Sequence, residues 1–179
     1  VLPVHKANLD GSNPQAFGSL DEPPQAIAVF GDFIFITTHS TGTIDNALGK
    51  IIRMKKDGSE NTTIVNGIAF APSIVTDSAG KIYWIEMTIL GNSRFSGIVF
   101  SANSDGSNKT QILDLNSLSA SFNEYQGSSY PRDLVIDQVR NKLYVADNIS
   151  TAGEANRVIW RSDLGGTNSE RFGEIAGCV

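Results

Sequence analysis

Short apolar runs broken by Gly, Pro, Asn, Asp and Ser dominate this chain, and they recur in a fixed order. One set opens on proline and covers 24–29, 72–77 and 131–137. An aromatic, β-branched set follows at 33–36, 82–85 and 143–146, and a third at 51–54, 98–101 and 158–161. A fourth lies at 62–65, 110–113 and 170–173. Proline is tolerated at the first position of a strand, and runs of this length with aromatic and β-branched content read as strands. No segment of ten or more residues carries a helical period, so the chain is expected to be all-β.

A turn tetrapeptide keeps the same phase. It reads Leu9-Asp10-Gly11-Ser12, Lys56-Asp57-Gly58-Ser59 and Ser104-Asp105-Gly106-Ser107, with a degenerate copy at Leu164-Gly165-Gly166-Thr167. The spacing is about 48 residues and lengthens to about 60 before the last copy, a period that signals a repeat architecture. Asp-Gly between strands marks a hairpin, because glycine supplies the positive φ of the turn. The order is therefore strand A after proline, aromatic strand B, strand C before the Asp-Gly turn, then strand D. Four antiparallel strands per period predict the blades of a β-propeller. A β-sandwich would need three motifs to fall in phase by coincidence. Residues 1–179 are expected to form a single partial domain: a half-blade over 1–22, blades over about 23–66, 71–114 and 130–175, and an insertion over 115–129. Three and a half blades are fewer than the roughly four of the smallest closed ring. The remainder is expected in further blades of the same polypeptide, or else in a protein partner that completes the ring.

At these motifs the chain resembles the YWTD repeats of the low-density lipoprotein receptor class, the class B repeats. Tyr83-Trp84-Ile85-Glu86 and Tyr144-Val145-Ala146-Asp147 are partial matches to the signature, and Leu9-Asp10-Gly11-Ser12 matches the turn in full. Pro131 through Asp137, followed by Lys142-Leu143-Tyr144, fits the approach; Phe33-Ile34-Phe35-Ile36-Thr37 departs most. The resemblance covers nearly the whole chain. It implies a six-bladed ring, extracellular and engaged in binding proteins rather than in chemistry.

Composition narrows the partners. A net charge of −5 and a pI near 4.9 leave no basic footprint for nucleic acid. No window approaches the roughly 20 apolar residues of a membrane span, and Val1 to His5 do not read as a signal peptide. Cys178 has no second cysteine to pair with, so redox compartment stays open. Sequons at Asn61, Asn108 and Asn148 point to a secreted glycoprotein, although a chain this rich in Asn, Ser and Thr produces some by chance.

The A–D strand order puts the B–C and D–A connections on one face. Long loops are expected there, at 39–49, 88–97, 148–157 and the insertion, with tight turns on the other face. Loops on a rigid scaffold carry function, so the contact candidates are His39, Asp45, Arg94, Phe95, Phe122, Tyr125, Glu154 and Arg157. Aromatics in a Ser/Asn-rich loop single out Phe122 and Tyr125, with packing onto neighbouring blades as the structural alternative. No nucleophile elbow, phosphate loop or dinucleotide fingerprint is present. His5 and His39 lie in different blades without metal-ligand spacing. Asp77, Asp137, Glu86 and Asp147 could be read as calcium ligands or an acid–base pair, but repeat-encoded turn roles account for them better. No catalytic residue, metal ligand or cofactor is assigned, and calcium has no supporting motif. The expected function is a non-catalytic extracellular interaction or structural module. The alternatives are a carbohydrate-binding propeller, a metal-dependent six-bladed hydrolase and a self-assembling filament or matrix protein.

Overall fold

The computed structural model describes residues 2–39, 48–91, 94–121, 128–151 and 154–175. Strands β1 (Leu2–Lys6) and β2 (Gln15–Leu20) form a two-stranded sheet. Three four-stranded antiparallel sheets follow. The first holds β3 (Pro24–Phe30), β4 (Phe33–Thr38), β5 (Gly49–Lys55) and β6 (Thr62–Ile68). The second holds β7 (Ile74–Thr76), β8 (Ile82–Gly91), β9 (Arg94–Ala102) and β10 (Thr110–Asp114). Helix α1 (Leu115–Ser121) leads into the third: β11 (Ser128–Asp137), β12 (Lys142–Thr151), β13 (Glu154–Asp163) and β14 (Glu170–Ile175). Each sheet is in sequence order, the meander of a propeller blade. The all-β propeller expectation holds, with three blades and a preceding half-blade.

The sheets stack face to face through apolar side chains. Leu20, Ile34, Ile36, Ile52 and Met54 fill the seam between the half-blade and the first blade. Phe35, Ile51, Val65, Ile74 and Trp84 fill the next seam. Tyr83, Ile85, Val99, Leu134, Val145 and Trp160 fill the last. Inner blades are therefore buried on both faces, and β4 reads as a continuous buried run from Ile34 to Thr38. In the last blade Leu143, Val145 and Ile149 are buried while Ala146 is exposed, the alternation of a sheet covered on one side.

The Asp-Gly turns hold these seams at a fixed distance. Gly58 N donates to Lys55 O at 2.8 Å and Gly106 N to Asn103 O at 2.9 Å, each closing a four-residue turn. The glycine then takes a positive φ, 87° and 86° respectively. The aspartate Oδ1 accepts both the amide and the hydroxyl of the following serine, at 2.9 and 2.6 Å in all three full copies. The serine hydroxyl first, and its amide second, hold Asp10, Asp57 and Asp105 below the usual carboxylate range. This support for the turns is present at neutral pH and is lost as pH falls through the lowered folded values. Space matters as much as conformation. A Cβ on Gly58 would lie 1.3 Å from Phe17 O; on Gly106, 2.0 Å from Ile64 O; on Gly166, 2.1 Å from Ile112 O. Every one of these carbonyls belongs to the outermost strand of the preceding sheet.

Two details differ from the expectations above. Residues 88–97 and 148–157, expected as loops, lie mostly in strands, with pairing that runs on through Ile89↔Phe95 and Thr151↔Glu154. Backbone pairing needs no apolar alternation, so polar residues at the rim continue the hairpins unannounced. The insertion begins with a seven-residue helix, not a loop. Asp114 caps it, its Oδ1 accepting from the amides of Asn116 (3.0 Å) and Ser117 (3.1 Å), while Leu115 is fully buried in the last seam.

The half-blade leaves a groove of about 300 Å³ beside the first blade, lined among others by Val4, Leu20, Ile27 and Ile36. Ile27 is 57 % exposed there, whereas its register equivalents Ile74 and Leu134 are 3 % and 1 % exposed.

The turns yield a direct comparison. Gly11→Ala, whose Cβ meets nothing within 4 Å, is expected to cost only the left-handed backbone strain of about 1–2 kcal/mol. Gly106→Ala adds overpacking of about 1–3 kcal/mol against Ile64 O. Urea unfolding of the two variants measures the difference.

Candidate binding face

The B–C and D–A connections bring together the ends of several strands. After β4, the backbone amide of His39 donates to Pro23 O at 2.9 Å, and its half-buried ring meets Phe70 edge-on at 5.6 Å. On the next blade Phe95, one residue into β9, meets Tyr130 edge-on at 5.0 Å. The guanidinium of Arg132 lies 4.1 Å from the Tyr130 ring centroid, a cation–π arrangement at an exposed arginine. Phe95, Tyr130 and Arg132 thus form one stack spanning two blades.

Of the sequence candidates, the structure joins Phe95 to this stack and ties His39 to Phe70. Arg157 is exposed on β13, opposite Asn148. Arg94 and Glu154 open β9 and β13, paired with Gly91 and Thr151. Asp45, Phe122 and Tyr125 lie outside the described residues. Sequence reasoning missed Phe70, Tyr130 and Arg132. Their common signal is an aromatic residue just before the strand-opening proline, in Phe70-Ala71-Pro72 and Tyr130-Pro131-Arg132.

The same face carries a polar cluster where the half-blade meets the first blade. Thr38 Oγ1 donates to Glu22 Oε2 at 2.7 Å, and Lys50 Nζ lies 2.7 Å from Glu22 Oε1. Burial pushes the Glu22 carboxyl up, but Lys50 and Thr38 outweigh it and hold it below its ordinary value. A small cavity of about 90 Å³ beside it is lined by Ser19, Asp21, Glu22, Lys50 and Asn61, among others.

The carboxylates divide by strand. Asp77 accepts from the amides of Ala79 and Lys81, both at 2.9 Å, and Asp137 from those of Val139 (2.9 Å) and Arg140 (3.0 Å). Both are turn residues. Glu86 accepts from Trp84 Nε1 at 2.8 Å and pairs with Lys109 at 2.6 Å. Asp147 is 1 % exposed, and its Oδ2 accepts from Ser129 Oγ at 2.8 Å and Trp160 Nε1 at 3.2 Å. Burial raises its pKa against these donors. Among the described residues, no group of three or more His, Cys, Asp or Glu is placed to hold a metal ion. No helix of the described residues is long and apolar enough to cross a membrane.

No family model matches the chain. It is 27 % identical over 157 residues, 82 % of its length, to a protein named low-density lipoprotein receptor-related protein 1 from Pyricularia oryzae. The chain spans 47 % of that relative's length. Among solved structures it is similar to an oligogalacturonate lyase in complex with manganese, with a TM-score of 0.64 at 8 % identity, covering 99 % of this chain and 49 % of that one. An apo AtxE2 isopeptidase superposes with a TM-score of 0.54 at 11 % identity, covering 93 % of this chain and 24 % of that one. Both likenesses show the propeller fold alone, because identity at this level carries no site chemistry.

Asp147 gives the face a measurable pH dependence. Its raised pKa means that the folded state binds the proton more tightly than the unfolded state does. Its contribution to stability is therefore greatest in acid and declines as pH rises through the folded value. Asp147→Asn, which removes the charge and keeps the shape, is expected to be more stable than the parent at pH 7. Below the ordinary carboxylate range the gap should close, as read from denaturant midpoints across pH.

Proposed function

We propose that this chain is part of a YWTD-type propeller that acts as a non-catalytic extracellular protein-binding module, with the Phe95–Tyr130–Arg132 stack in its contact surface. The observation that carries this reading is the stack itself. Half-buried Phe95 and Tyr130, packed on the last seam, and exposed Arg132 are of the residue types that dominate protein interfaces. The match to a receptor-related protein over most of the chain supports the same direction. The carboxylates nearest the face support it too, since they are engaged by scaffold donors: Glu86 by Trp84 and Lys109, Asp147 by Ser129 and Trp160. The reading requires no cofactor.

The test is biolayer interferometry against purified extracellular protein domains, beside a glycan array and hydrolase assays with added calcium. The expected result is saturable protein binding that Arg132→Glu and Phe95→Ala each weaken about tenfold, the loss of about 1.4 kcal/mol. Binding confined to glycans, or turnover of a substrate, would overturn it.

An extracellular setting makes a second prediction. Asn108 is exposed just beyond its turn, with φ of 56°. Asn148 is half-buried within β12, between Tyr130 and Arg157. Peptide mapping after secretion from a glycosylating host is expected to find glycan on Asn108 and none on Asn148.

A further inference from the structure

An asparagine or aspartate followed by glycine can close on itself, the glycine nitrogen attacking the side-chain carbonyl carbon. Glycine favours the attack because no side chain crowds the nitrogen and its backbone reaches conformations closed to other residues. The chain holds such a step at Asp10-Gly11, Asp57-Gly58, Asp105-Gly106 and Asn66-Gly67. At the three aspartates the structure engages both reacting groups. Each carboxylate Oδ1 is held by the amide and hydroxyl of the serine two residues on. Each glycine amide donates across its own turn: Gly11 N to Asn8 O at 2.9 Å, Gly58 N to Lys55 O at 2.8 Å, and Gly106 N to Asn103 O at 2.9 Å.

Asn66-Gly67 differs on every count. Both residues are exposed on β6, the outer strand of the first blade, a position at the blade's circumference and away from the faces that stack. The Asn66 side chain has no hydrogen-bond partner among the described residues. Lys50 pairs with Asn66 and Gly49 with Ile68, so Gly67 is the extra residue of a β-bulge, with φ of 74°. The extra residue of a bulge is unpaired and disrupts the ladder locally, so the strand does not lock Gly67 N away from the neighbouring side chain. Directly opposite residues carry their side chains on one side of a sheet, roughly 5 Å apart at Cβ. Position 66 therefore lies across from Lys50, the residue that pairs with Glu22.

We propose that Asn66 is a site of spontaneous deamidation. Gly67 N bonds to Asn66 Cγ as it loses its proton, the bond from Cγ to the side-chain nitrogen breaks, and ammonia leaves with that proton. A cyclic imide remains. Water then adds at one of the two imide carbonyls and breaks its bond to nitrogen. Opening at the side-chain carbonyl leaves the backbone running through Cγ and gives isoaspartate; opening at Cγ gives aspartate. Water is the only co-reactant. Either product sets a carboxylate across from Lys50, where it competes with Glu22, and isoaspartate also adds one carbon to the backbone of β6. The site lies apart from the Phe95–Tyr130–Arg132 stack, and so stands or falls apart from the proposed function.

The folded chain, incubated in mildly alkaline buffer made with heavy-oxygen water, tests this by peptide mapping. Aspartate and isoaspartate carrying the label are expected at position 66, forming about tenfold faster than at any other described asparagine, a barrier lower by about 1.4 kcal/mol. The rate should stay within about tenfold of that in the urea-unfolded chain, since the bulge leaves the step open. Gly67→Ala should slow the reaction about tenfold. Asn66→Gln, whose ring would need one more carbon, should abolish it without disturbing the turn of the bulge. An isoaspartyl methyltransferase should label the aged parent and not aged Asn66→Gln protein. An Asn66 that stays intact in the folded chain and reacts only after unfolding, label that appears first at other asparagines, or a rate that Gly67→Ala leaves unchanged overturns the proposal.

Discussion

The structure depends on a backbone-to-backbone contact between successive sheets, in which a turn glycine comes against the carbonyl of the preceding outer strand. Two demands meet at that glycine. The turn needs a positive φ, and the neighbouring carbonyl leaves no room for a Cβ at Gly58, Gly106 or Gly166. Either demand alone would favour glycine, and together they make the position intolerant of any side chain. Because the contact is between main chains, it sets the spacing of the sheets independently of which apolar residues lie between them. That is why the seams tolerate Phe35 in one blade and Tyr83 in the next.

This constraint also makes the two faces of the molecule unequal. The C–D and A–B turns are held short and bond to the preceding blade: Ser104 O accepts from Arg53 Nη1 at 3.3 Å and Gln138 Nε2 reaches Thr76 O at 2.8 Å. The opposite rim is under no such demand. There the B–C hairpins of the second and third blades extend beyond the core, and α1 enters through one buried leucine, Leu115. Variation at that rim leaves the blade spacing intact, which is the physical reason to look for recognition there.

The repeat was legible because its signals are local. Asp-Gly-Ser, a strand-opening proline and an aromatic run each state a backbone requirement within a few residues. What the sequence left unread was non-local or had no apolar signature. The hairpin tips around Thr88 and Asn148 are polar and pair through the backbone. The cap of α1 is one aspartate, Asp114, lost among many. For the candidate site, Phe95 was found as an aromatic in a presumed loop, but Tyr130 and Arg132 read as the approach to a strand. Only the stacking of one blade on another brings Phe95 and Tyr130 within 5.0 Å. The aromatic preceding the repeat proline is the signal that could have pointed to them.

The end of strand B shows how a repeat that fixes geometry can still diversify chemistry. Thr38, Glu86 and Asp147 share one register, yet each meets a different partner set. Thr38 bonds to Glu22 on the preceding connection, Glu86 to Trp84 and Lys109, and Asp147 to Ser129 and Trp160 under full burial. An aspartate in that environment holds its proton more tightly than an exposed carboxylate does, whereas Glu22, beside Lys50, is shifted the other way. The scaffold imposes the position, and the neighbours on the variable rim impose the charge. Chemical individuality among the blades therefore concentrates in the one band where the seams place no constraint, next to the stack of half-buried Phe95 and Tyr130 with exposed Arg132.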